Sequence, residues 1–362
     1  MNHVKSRTSK RSAQSKRSMT LGISSIATFL LLAGLMVIPA PYVVKSPGPT
    51  KNTLGSANSQ DLITISGAPT YDTSGELLIT TVGVAGGPGY PVNFAQVIRG
   101  WVDSSSAVYP VETVYPRDVS QEQIDSQNKA LMVSSQENAT YAALRELGYT
   151  IPTTVKVEEV LEESPARGVI QEDDVLTTLN GSAITGYDDL VDRLNQITPG
   201  TDVSLGYRRD SQDQEMTFTT IPNADGTGSR LAIALDLEFE FPIDVSIEID
   251  RIGGPSAGTM FALGILDKLT EEDEANGHII AGTGTMNTRG EVGAIGGIQQ
   301  KLHGAVRDGA GYFLAPESNC DEVVGNVPDG LQVVAVSTLE EAWTAVKAIG
   351  AGSAADLPAC HA

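Results

Sequence analysis

The chain has 362 residues, enough for two or three domains of ordinary size, and a formal net charge of −21 at pH 7. Residues 1–20 carry six basic side chains and no acidic one, whereas the rest of the chain carries 18 basic and 45 acidic residues. So acidic a body excludes nucleic acid as the main partner, because it has no basic stripe that could displace counterions.

The N-terminal region contains a candidate membrane span. Residues 18–44 include no charged side chain, and a helix of about 20 apolar residues is long enough to cross a bilayer. We predict a basic cytoplasmic tail over residues 1–20 and a transmembrane signal-anchor helix over residues 21–41, with the body outside the cytoplasmic membrane. A cleaved signal peptide is the alternative, although Pro41 directly after Ala40 disfavours cleavage.

Residues 42–150 are predicted to form an extracytoplasmic N-terminal segment without catalytic motifs. Residues 76–84 have the composition of one strand. Ser120 and Gln123 form a capping-box pattern, which predicts a helix that runs with interruptions to Leu147.

Residues 151–222 have the pattern of a small β-rich unit. Asn180 and Gly181 predict a tight hairpin turn, and a short amphipathic helix follows over residues 187–194. A further strand is predicted to turn three side chains inward, those of Val203, Leu205 and Tyr207.

The stretch SPARGVIQEDDVLTTLNGSAI in this unit resembles the PDZ family. It departs from the family pattern at residues 172–174, where a Gly-Asp pair is usual. The resemblance implies binding of extended peptides by addition to a sheet edge. A role as a spacer or shield for the next domain is the alternative.

Residues 229–350 follow a polar linker at 223–228 and have a mixed α/β pattern. The last helix is predicted to begin with a capping box formed by Ser337 and Glu340 and to end at Gly350. Residues 351–362 form a C-terminal tail. Strand-like runs precede that helix at residues 231–234, 245–249, 279–281, 312–315 and 331–336.

Ser256 lies in the sequence Gly-Gly-Pro-Ser-Ala-Gly, directly before an apolar helical run at residues 259–266. Gly254 and Pro255 are predicted to form a tight turn that lets the backbone come close to a substrate. The N–H groups at a helix N-terminus can hold the oxyanion that forms when a serine attacks a carbonyl. An unreactive serine that caps the helix is the alternative.

A reactive serine needs a base, and histidine is poorly placed here. The spacing Gly254-x-Ser256-x-Gly258 fits the nucleophile elbow of α/β hydrolases, which requires a downstream acid and histidine. Upstream of Ser256 the chain lacks the parallel α/β units of that fold. The histidines are His3, His278, His303 and His361.

Lys301 is the stronger candidate for the base. It lies on a helix after Gly296-Gly297, at the border of a stripe formed by Ile298, Leu302 and Ala305. A lysine there is partly desolvated, which lowers its pKa and leaves a neutral amine available near pH 7. The alternative is a lysine that extends to solvent. Three neighbours are predicted to face away from the stripe, namely Gln300, His303 and Arg307.

The stretch from IDRIGGPSAGTMFALGIL to GHIIAGTGTMNTRGEVGAIGGIQQKLHGAVRDGAGYFLAP closely resembles the proteolytic domain of Lon peptidases. The resemblance implies that Ser256 is the nucleophile, that Lys301 is the base and that Thr283 orients the lysine. Many Lon enzymes have an acid three residues before the serine, where this chain has Gly253.

No G-x-x-x-x-G-K-[ST] motif occurs in the chain. The order of anchor, PDZ-like unit and Lon-type unit resembles the membrane-bound PDZ–Lon proteases of bacteria. The fold class implied is an α/β (α+β) Lon-type domain preceded by a β-rich PDZ-like domain and a transmembrane helix.

This resemblance implies an ATP-independent serine endopeptidase that acts outside the membrane on unfolded or loosely folded proteins. We expect protein or peptide substrates and no cofactor, ATP or nucleic acid. The alternative function is a membrane-tethered peptide-binding adaptor with an inactive protease domain. The joint presence of Ser256, Lys301 and Thr283 disfavours it.

Cys320 and Cys360 either form a disulfide or remain two unpaired thiols, and the sequence leaves both open. A bond between them would close a loop of about 40 residues and contribute about 4 kcal/mol on the chain-entropy account. Neither cysteine lies in a CxxC motif or beside a histidine cluster, so no metal site is expected.

Overall fold

The computed structural model describes residues 9–57, 60–115, 119–223, 226–249 and 252–361, with the backbone alone for residues 9–18. Residues 1–8 of the predicted basic tail lie outside the described residues, as do Ala224 and Asp225 of the predicted linker.

The helices of the described ranges, in chain order, are α1 (Ser9–Val37), α2 (Phe94–Val102), α3 (Val111–Val114), α4 (Gln121–Glu146), α5 (Tyr187–Asn195), α6 (Gly258–Leu269), α7 (Ile298–Arg307), α8 (Cys320–Val323) and α9 (Leu339–Gly350). Short 3₁₀ turns occur at Glu317–Asn319 and Ala354–Asp356.

The strands of the same ranges are β1 (Pro39–Ala40), β2 (Tyr42–Pro47), β3 (Lys51–Asn52), β4 (Ser56–Ala57), β5 (Gln60–Asp61), β6 (Ile63–Ser66), β7 (Glu76–Ile79), β8 (Val82–Ala85), β9 (Val92–Asn93), β10 (Ala107–Pro110), β11 (Thr153–Val160), β12 (Val175–Leu179), β13 (Ser182–Ala183), β14 (Asp202–Arg209), β15 (Gln212–Thr219), β16 (Ile221–Pro222), β17 (Ser229–Arg230), β18 (Ile233–Phe239), β19 (Asp244–Ile247), β20 (Ile279–Gly282), β21 (Thr285–Met286), β22 (Val292–Gly293), β23 (Tyr312–Pro316) and β24 (Gln332–Val336).

A five-stranded sheet in the order β24-β23-β20-β7-β3 forms the centre of the C-terminal half. Strands β24, β23, β20 and β7 are parallel, and Gly282 of β20 pairs with both Leu314 and Ile79. The prediction of one strand over residues 76–84 is wrong, because β7 and β8 enter different sheets. The segment at 42–150 therefore supplies strands to the sheet that also contains β20, β23 and β24.

Helices cover both faces of this sheet. Leu77, Ile79 and Ile280 share one apolar core with α6, α4 and α9. Leu78 and Ala281, which alternate with them along the strands, face the opposite core with the stripe of α7. The sheet is therefore buried on both faces, as parallel sheets are, which explains the continuous apolar runs in its strands.

The PDZ-like unit has its own sheet, in the order β15-β14-β12-β11-β18, with β13 beside β12. The predicted Asn180–Gly181 turn is confirmed, with both residues at positive φ between β12 and β13. The strand predicted at 231–234 was assigned to the next domain. Of these residues only 233 and 234 are in a strand, and they begin β18, which pairs with β11 and places Thr153 opposite Phe239. The assignment of this strand to the next domain is therefore wrong.

This unit is inserted between α4 and β19. Two neighbouring antiparallel strands, β11 and β18, carry the chain into and out of it. After β18, β19 pairs with β6 of the N-terminal segment, with Asp244 opposite Ser66. The chain thus leaves the central domain after α4 and returns to it beyond Phe239.

Helix α1 contains the one candidate membrane span of the described residues, Met19–Val37, none of which is buried in the molecule. The predicted end of the span at residue 41 is wrong. The helix ends at Val37, and β1 pairs with β9 instead of extending it.

Two helix starts can be compared with their predicted caps. Ser120 and Gln123 form the predicted capping box of α4, which continues without interruption to Glu146. Helix α9 begins one residue later than predicted, because Thr338 caps it and accepts from the N–H of Glu341.

The C-terminal tail is linked to the central domain by a disulfide bond and a backbone hydrogen bond. A disulfide bond joins Cys320 at the start of α8 to Cys360. The N–H of Ala335 in β24 also donates to the carbonyl of Pro358.

Candidate active site

The candidate site lies at the carboxyl edge of the parallel strands, where the chain leaves β7 and β20. Thr80 and Thr283 directly follow these strands, and both side chains are buried. Thr80 Oγ1 donates to the carbonyl oxygen of Gly282 at 3.0 Å. Because parallel strands end at one edge, side chains that follow them converge there.

The loop that carries Ser256 is held by α4, an element of the N-terminal segment. The N–H of Gly254 donates to the carbonyl of Asn128 at 2.9 Å, and Ser135 Oγ donates to the carbonyl of Pro255 at 3.0 Å. Gly254 has a φ of +87°, which favours glycine at this turn. The turn and its two hydrogen bonds to α4 fix the position of the loop residues that precede Ser256.

The backbone of Ser256 is also fixed from the other side. Its carbonyl oxygen accepts from the N–H of Gly284 at 3.0 Å and from Thr283 Oγ1 at 2.9 Å. The half-buried serine is therefore attached to the end of β20 and directly precedes the buried start of α6.

Lys301 reaches Ser256 from the opposite face of the sheet. Its Nζ lies 2.8 Å from Ser256 Oγ and 2.7 Å from Thr283 Oγ1. The side chain is only 2 % exposed, so the lysine is buried rather than at the border of the stripe. Gln300 was predicted to face away and is 3 % exposed, which corrects that prediction also.

Burial lowers the pKa of Lys301 to about 7, because desolvation disfavours the charged ammonium. The Thr283 hydroxyl donates its one hydrogen to the Ser256 carbonyl, so its oxygen can only accept from Lys301. A neutral amine that donates to Thr283 keeps its lone pair free to accept the hydroxyl proton of Ser256.

Backbone donors lie next to the serine. Within the described part of the chain, neither Ser256 nor Ala257 has its N–H bonded to a protein acceptor. Both N–H groups precede the first turn of α6, where the helix dipole favours negative charge. They are candidate donors to an oxyanion.

A cleft of about 610 Å³ opens in front of Ser256 and Lys301. Its walls come from β8 and from Met132 of α4, together with Ile295. Asn319 fixes that last wall, because its side-chain amide both accepts from the N–H of Ile295 and donates to its carbonyl. The volume of the cleft is sufficient for a short peptide segment, and the reactive groups form part of its lining.

His278 is excluded as the base by its position. His278 precedes β20, while Thr283 follows it, so the two lie roughly 15 Å apart along an extended strand. The His278 ring packs edge-on against Tyr312 instead. The ranges described here contain no group of three or more His, Cys, Asp or Glu side chains that could hold a metal.

Sequence reasoning missed the residues that support the site from a distance. Thr80, Asn128, Ser135 and Asn319 hold the reacting loop and the cleft wall through bonds to backbone groups. Such bonds have no periodicity or motif. The one available signal was the run of small and polar residues on α4, which packs against the loop at Gly253-Gly254.

Two family models match this chain. Residues 249–347 match the Lon protease (S16) C-terminal proteolytic domain, and residues 127–220 match the PDZ domain. The chain carries a Lon-type proteolytic domain and a PDZ domain. The PDZ match begins within α4, ahead of the first strand of the inserted sheet.

Curated relatives resemble the chain over its Lon-type domain. The Lon protease of Mesomycoplasma hyopneumoniae (strain 232) is 36 % identical over 93 residues, which are 25 % of this chain and 10 % of that protein. The Lon protease of Clostridioides difficile (strain 630) is 37 % identical over 91 residues, 24 % of this chain and 11 % of that protein. The chain thus spans about a tenth of the length of these relatives.

Solved structures resemble the PDZ domain. The PDZ domain of an SdrC-like protein from Listeria monocytogenes is 22 % identical, with a TM-score of 0.21, over 22 % of this chain and 85 % of that one. Its counterpart from Listeria innocua is also 22 % identical, with a TM-score of 0.22, over 23 % of this chain and 92 % of that one.

Proposed function

We propose that this protein is a serine endopeptidase in which Ser256 is the nucleophile and Lys301 is the general base. The observation that carries the proposal is the position of the Lys301 amine, buried between the hydroxyls of Ser256 and Thr283 at the end of an open cleft. A lysine with no surface role, desolvated and aimed at a serine, fits a base better than a structural cation.

The proposed reaction has two halves. The neutral Lys301 amine takes the proton of Ser256 as Oγ bonds to the peptide carbonyl carbon, and the carbonyl oxygen becomes an oxyanion. The resulting ammonium gives this proton to the leaving nitrogen as the peptide bond breaks. Water then attacks the acyl ester, Lys301 takes its proton and returns it to Ser256, and the new carboxyl end leaves.

The supporting residues position these groups. Thr283 holds the lysine by accepting from its amine and holds the serine by donating to its carbonyl. Gly254 and Pro255 fix the loop through their bonds to α4. The N–H groups of Ser256 and Ala257 are proposed to donate to the oxyanion.

The shape of the cleft supports an extended substrate. Strand β8 pairs with β2 on one side, and in the described residues its other edge has no partner strand. Residues 81–84 along this edge line the cleft. A peptide can add to such an edge through main-chain hydrogen bonds, which requires an unfolded segment. We therefore propose unfolded or loosely folded proteins as substrates and hydrolysis without ATP.

The PDZ domain is proposed to recruit peptides. A groove of about 280 Å³ runs between α5 and β18, lined by Tyr187, Leu190, Leu194 and Ile233. Its walls are a helix and a strand, which suits an extended apolar segment.

We further propose that residues 19–37 anchor the protein in the cytoplasmic membrane, with the catalytic domain outside. The apolar surface of this helix is uncovered, and basic residues precede it. The Cys320–Cys360 disulfide suits an oxidising compartment.

Cleavage of casein by the full chain in detergent, without ATP, tests the enzymatic proposal. We expect Ser256→Ala and Lys301→Ala each to lower the rate at least about 1000-fold, because general-base catalysis alone contributes roughly 100- to 10,000-fold and loss of the nucleophile costs more. Lys347→Ala, which removes a surface lysine of α9, is the matched control and should keep the rate within about twofold. Cleavage that survives in either active-site variant would overturn the dyad, and inactivity of every form would favour the adaptor.

A further inference from the structure

Helix α2 carries an apolar surface that the proposed activity does not use. Ile98, Trp101 and Val102 are 45 %, 62 % and 83 % exposed. The opposite face of the helix is buried, since Val97 and Gly100 pack toward the sheet of β10, β2 and β8. Three large apolar side chains on a single turn of a surface helix are unusual for a soluble domain.

This helix is rigidly placed. A capping box of Asn93 and Gln96 starts it. A side chain at Gly100 would come within 2.9 Å of Val108 and 3.0 Å of Val44, so the helix lies flat on the sheet. The Trp101 ring packs edge-on against Tyr42, with its centroid 5.9 Å away, which fixes the ring while leaving most of it uncovered.

The apolar surface is continuous with the end of the candidate membrane span. The side-chain amide of Asn93 donates to the carbonyl of Met36 at 2.9 Å, within the last turn of α1. Strand β1, which follows α1 directly, pairs with β9, which directly precedes α2. Met36 and Val37 are themselves 64 % and 79 % exposed.

We infer that α2 is an interfacial helix that seats Ile98, Trp101 and Val102 in the headgroup region of the bilayer. This inference rests on the proposed anchoring by residues 19–37. A span that ends at Val37 places Met36 at the boundary of the hydrocarbon, and α2 is bonded to that residue. Tryptophan prefers this depth because its ring is apolar and its N–H needs a polar partner.

Two basic groups beside the surface agree with a lipid occupant, while the carboxylate of Asp103 at the end of α2 accepts from the hydroxyls of Ser105 and Ser106. Arg99 lies between Ile98 and Trp101 and is exposed. Lys45 lies over the ring of the exposed Tyr109 on the adjacent strand β10. Basic groups at the edge of an apolar surface contact anionic headgroups, whereas a hydrophobic protein partner would leave them unpaired.

Such seating determines what the active site can reach. Helix α2 lies on the sheet whose edge strand β8 lines the catalytic cleft. With a helix about 10 Å in diameter and strands about 5 Å apart, the cleft stays within roughly 20 Å of the bilayer surface. The substrates favoured are therefore chain segments close to the membrane.

The two tryptophans of the chain make a direct test. Trp343 is 7 % exposed in the core of the Lon-type domain, so Trp101 is the one that lipid can quench. The full chain is reconstituted in phosphatidylcholine–phosphatidylglycerol vesicles whose acyl chains carry bromine near the headgroup or near the bilayer centre. Retention after alkaline washing reports on the anchor separately.

We expect shallow bromine to lower the Trp101 emission about twofold and deep bromine to lower it less, as for an interfacial ring. The Trp101→Phe variant, which keeps Trp343, should show no quenching. As a matched control, Trp101→Phe with Val327→Trp moves the reporter to an exposed site on the loop between α8 and β24 of the Lon-type domain and should also show none. Retention without quenching of Trp101 overturns the interfacial helix alone. Release from the vesicles overturns the anchor and the interfacial helix with it.

Discussion

The guanidinium of Arg289 donates to the carboxylate of Asp192 at 2.6 Å, and this pair joins the two domains. Asp192 lies on α5 of the PDZ domain, and Arg289 lies in the turn between β21 and β22 of the Lon-type domain. Asp188, one turn earlier on the same face of α5, accepts from Thr288 at 3.1 Å and approaches Arg289 at 3.4 Å. Helix α5 therefore lines the groove of the PDZ domain and is bonded to the turn of the β21–β22 hairpin, whose residue Thr285 lines the catalytic cleft.

Arg289→Met should loosen α5 without unfolding either domain. Both ion pairs are partly exposed, so we expect the free energy of unfolding to change by less than about 1 kcal/mol. Amide hydrogens of α5 and of residues 287–291 should exchange faster, as measured by mass spectrometry. Arg167→Met, which removes an exposed pair with Glu162 inside the PDZ domain, is the control and should leave α5 unchanged. Equal exchange in both variants would show that Arg289 does not hold the domains together.

The rate of peptide hydrolysis should follow the ionisation of Lys301. Its pKa is about 7, and the proposed reaction needs the neutral amine. We expect kcat/KM for a short peptide to fall about tenfold per pH unit below pH 7 and to level off above it. A profile that already levels off near pH 5 would point to a carboxylate as the base.

The same burial of Lys301 lowers the free energy of unfolding at neutral and lower pH. Its pKa of about 7 lies below the ordinary value of 10.5, so between these values the unfolded chain binds a proton that the folded protein does not. Stability due to this group therefore rises with pH from about 7 to 10.5 and is lowest below 7.

Lys301→Met should consequently raise the free energy of unfolding at pH 7, by an amount on the order of 2–5 kcal/mol, while abolishing hydrolysis. The gain should shrink as the pH approaches 10. Denaturant unfolding at several pH values measures this, with Ser256→Ala as the control that removes the partner hydroxyl and keeps the lysine. A loss of stability in Lys301→Met at pH 7 would contradict a pKa of about 7 for Lys301.

Thr283→Val should lower kcat about 10- to 100-fold with little change in KM, because it removes the group that orients the lysine and leaves substrate contacts intact. Valine cannot accept from Lys301 or donate to the Ser256 carbonyl. Thr283→Ser keeps the hydroxyl and should restore most of the rate. The ammonium loses an acceptor in Thr283→Val, so the acidic limb of the pH profile should also move to lower pH. A purely structural role would lower the rate of both variants and leave the pH profile in place.

Gly253 stands where many Lon enzymes have an acid, and the structure gives a reason. A side chain there would come within 2.9 Å of the Cβ of Asn128 on α4. Gly253→Ala should displace the Ser256 loop and lower kcat about tenfold. Asn128→Gly removes that contact and should restore activity when combined with Gly253→Ala. If the double variant is no better than the single one, the contact with α4 is not what excludes the side chain.

The reactive residues could be predicted from local sequence, because each belongs to a short motif beside a helix start. The burial of Lys301 could not. A helical projection places the residue relative to its own helix, whereas the end of β20 and the Ser256 loop complete its enclosure. The same limit explains Gln300, which a projection of α7 turned toward solvent.

The contribution of the N-terminal segment to the central sheet and to the site could not be predicted from local sequence patterns either. Strand β7 pairs in parallel with β20, which follows it after about two hundred residues, and no turn marks such a pairing in the sequence. Asn128 contributes its backbone carbonyl, which a residue of any type can supply. Ser135 contributes one hydroxyl, which several polar residue types can replace. Neither residue therefore has a recognisable sequence signature. Strand β18 was assigned to the wrong domain because the polar residues before it resemble a linker.

The pairing of β7 with β20 also determines when the site can form, if the body crosses the membrane in chain order behind the proposed anchor. The PDZ sheet is complete once Phe239 has emerged, but the central sheet cannot close until Gly282 reaches Ile79. Lys301 emerges later still. Under the proposed topology and activity, a newly made molecule would therefore be unable to hydrolyse peptides while it crosses the membrane. The exporting machinery and neighbouring nascent chains would be spared until synthesis is nearly finished.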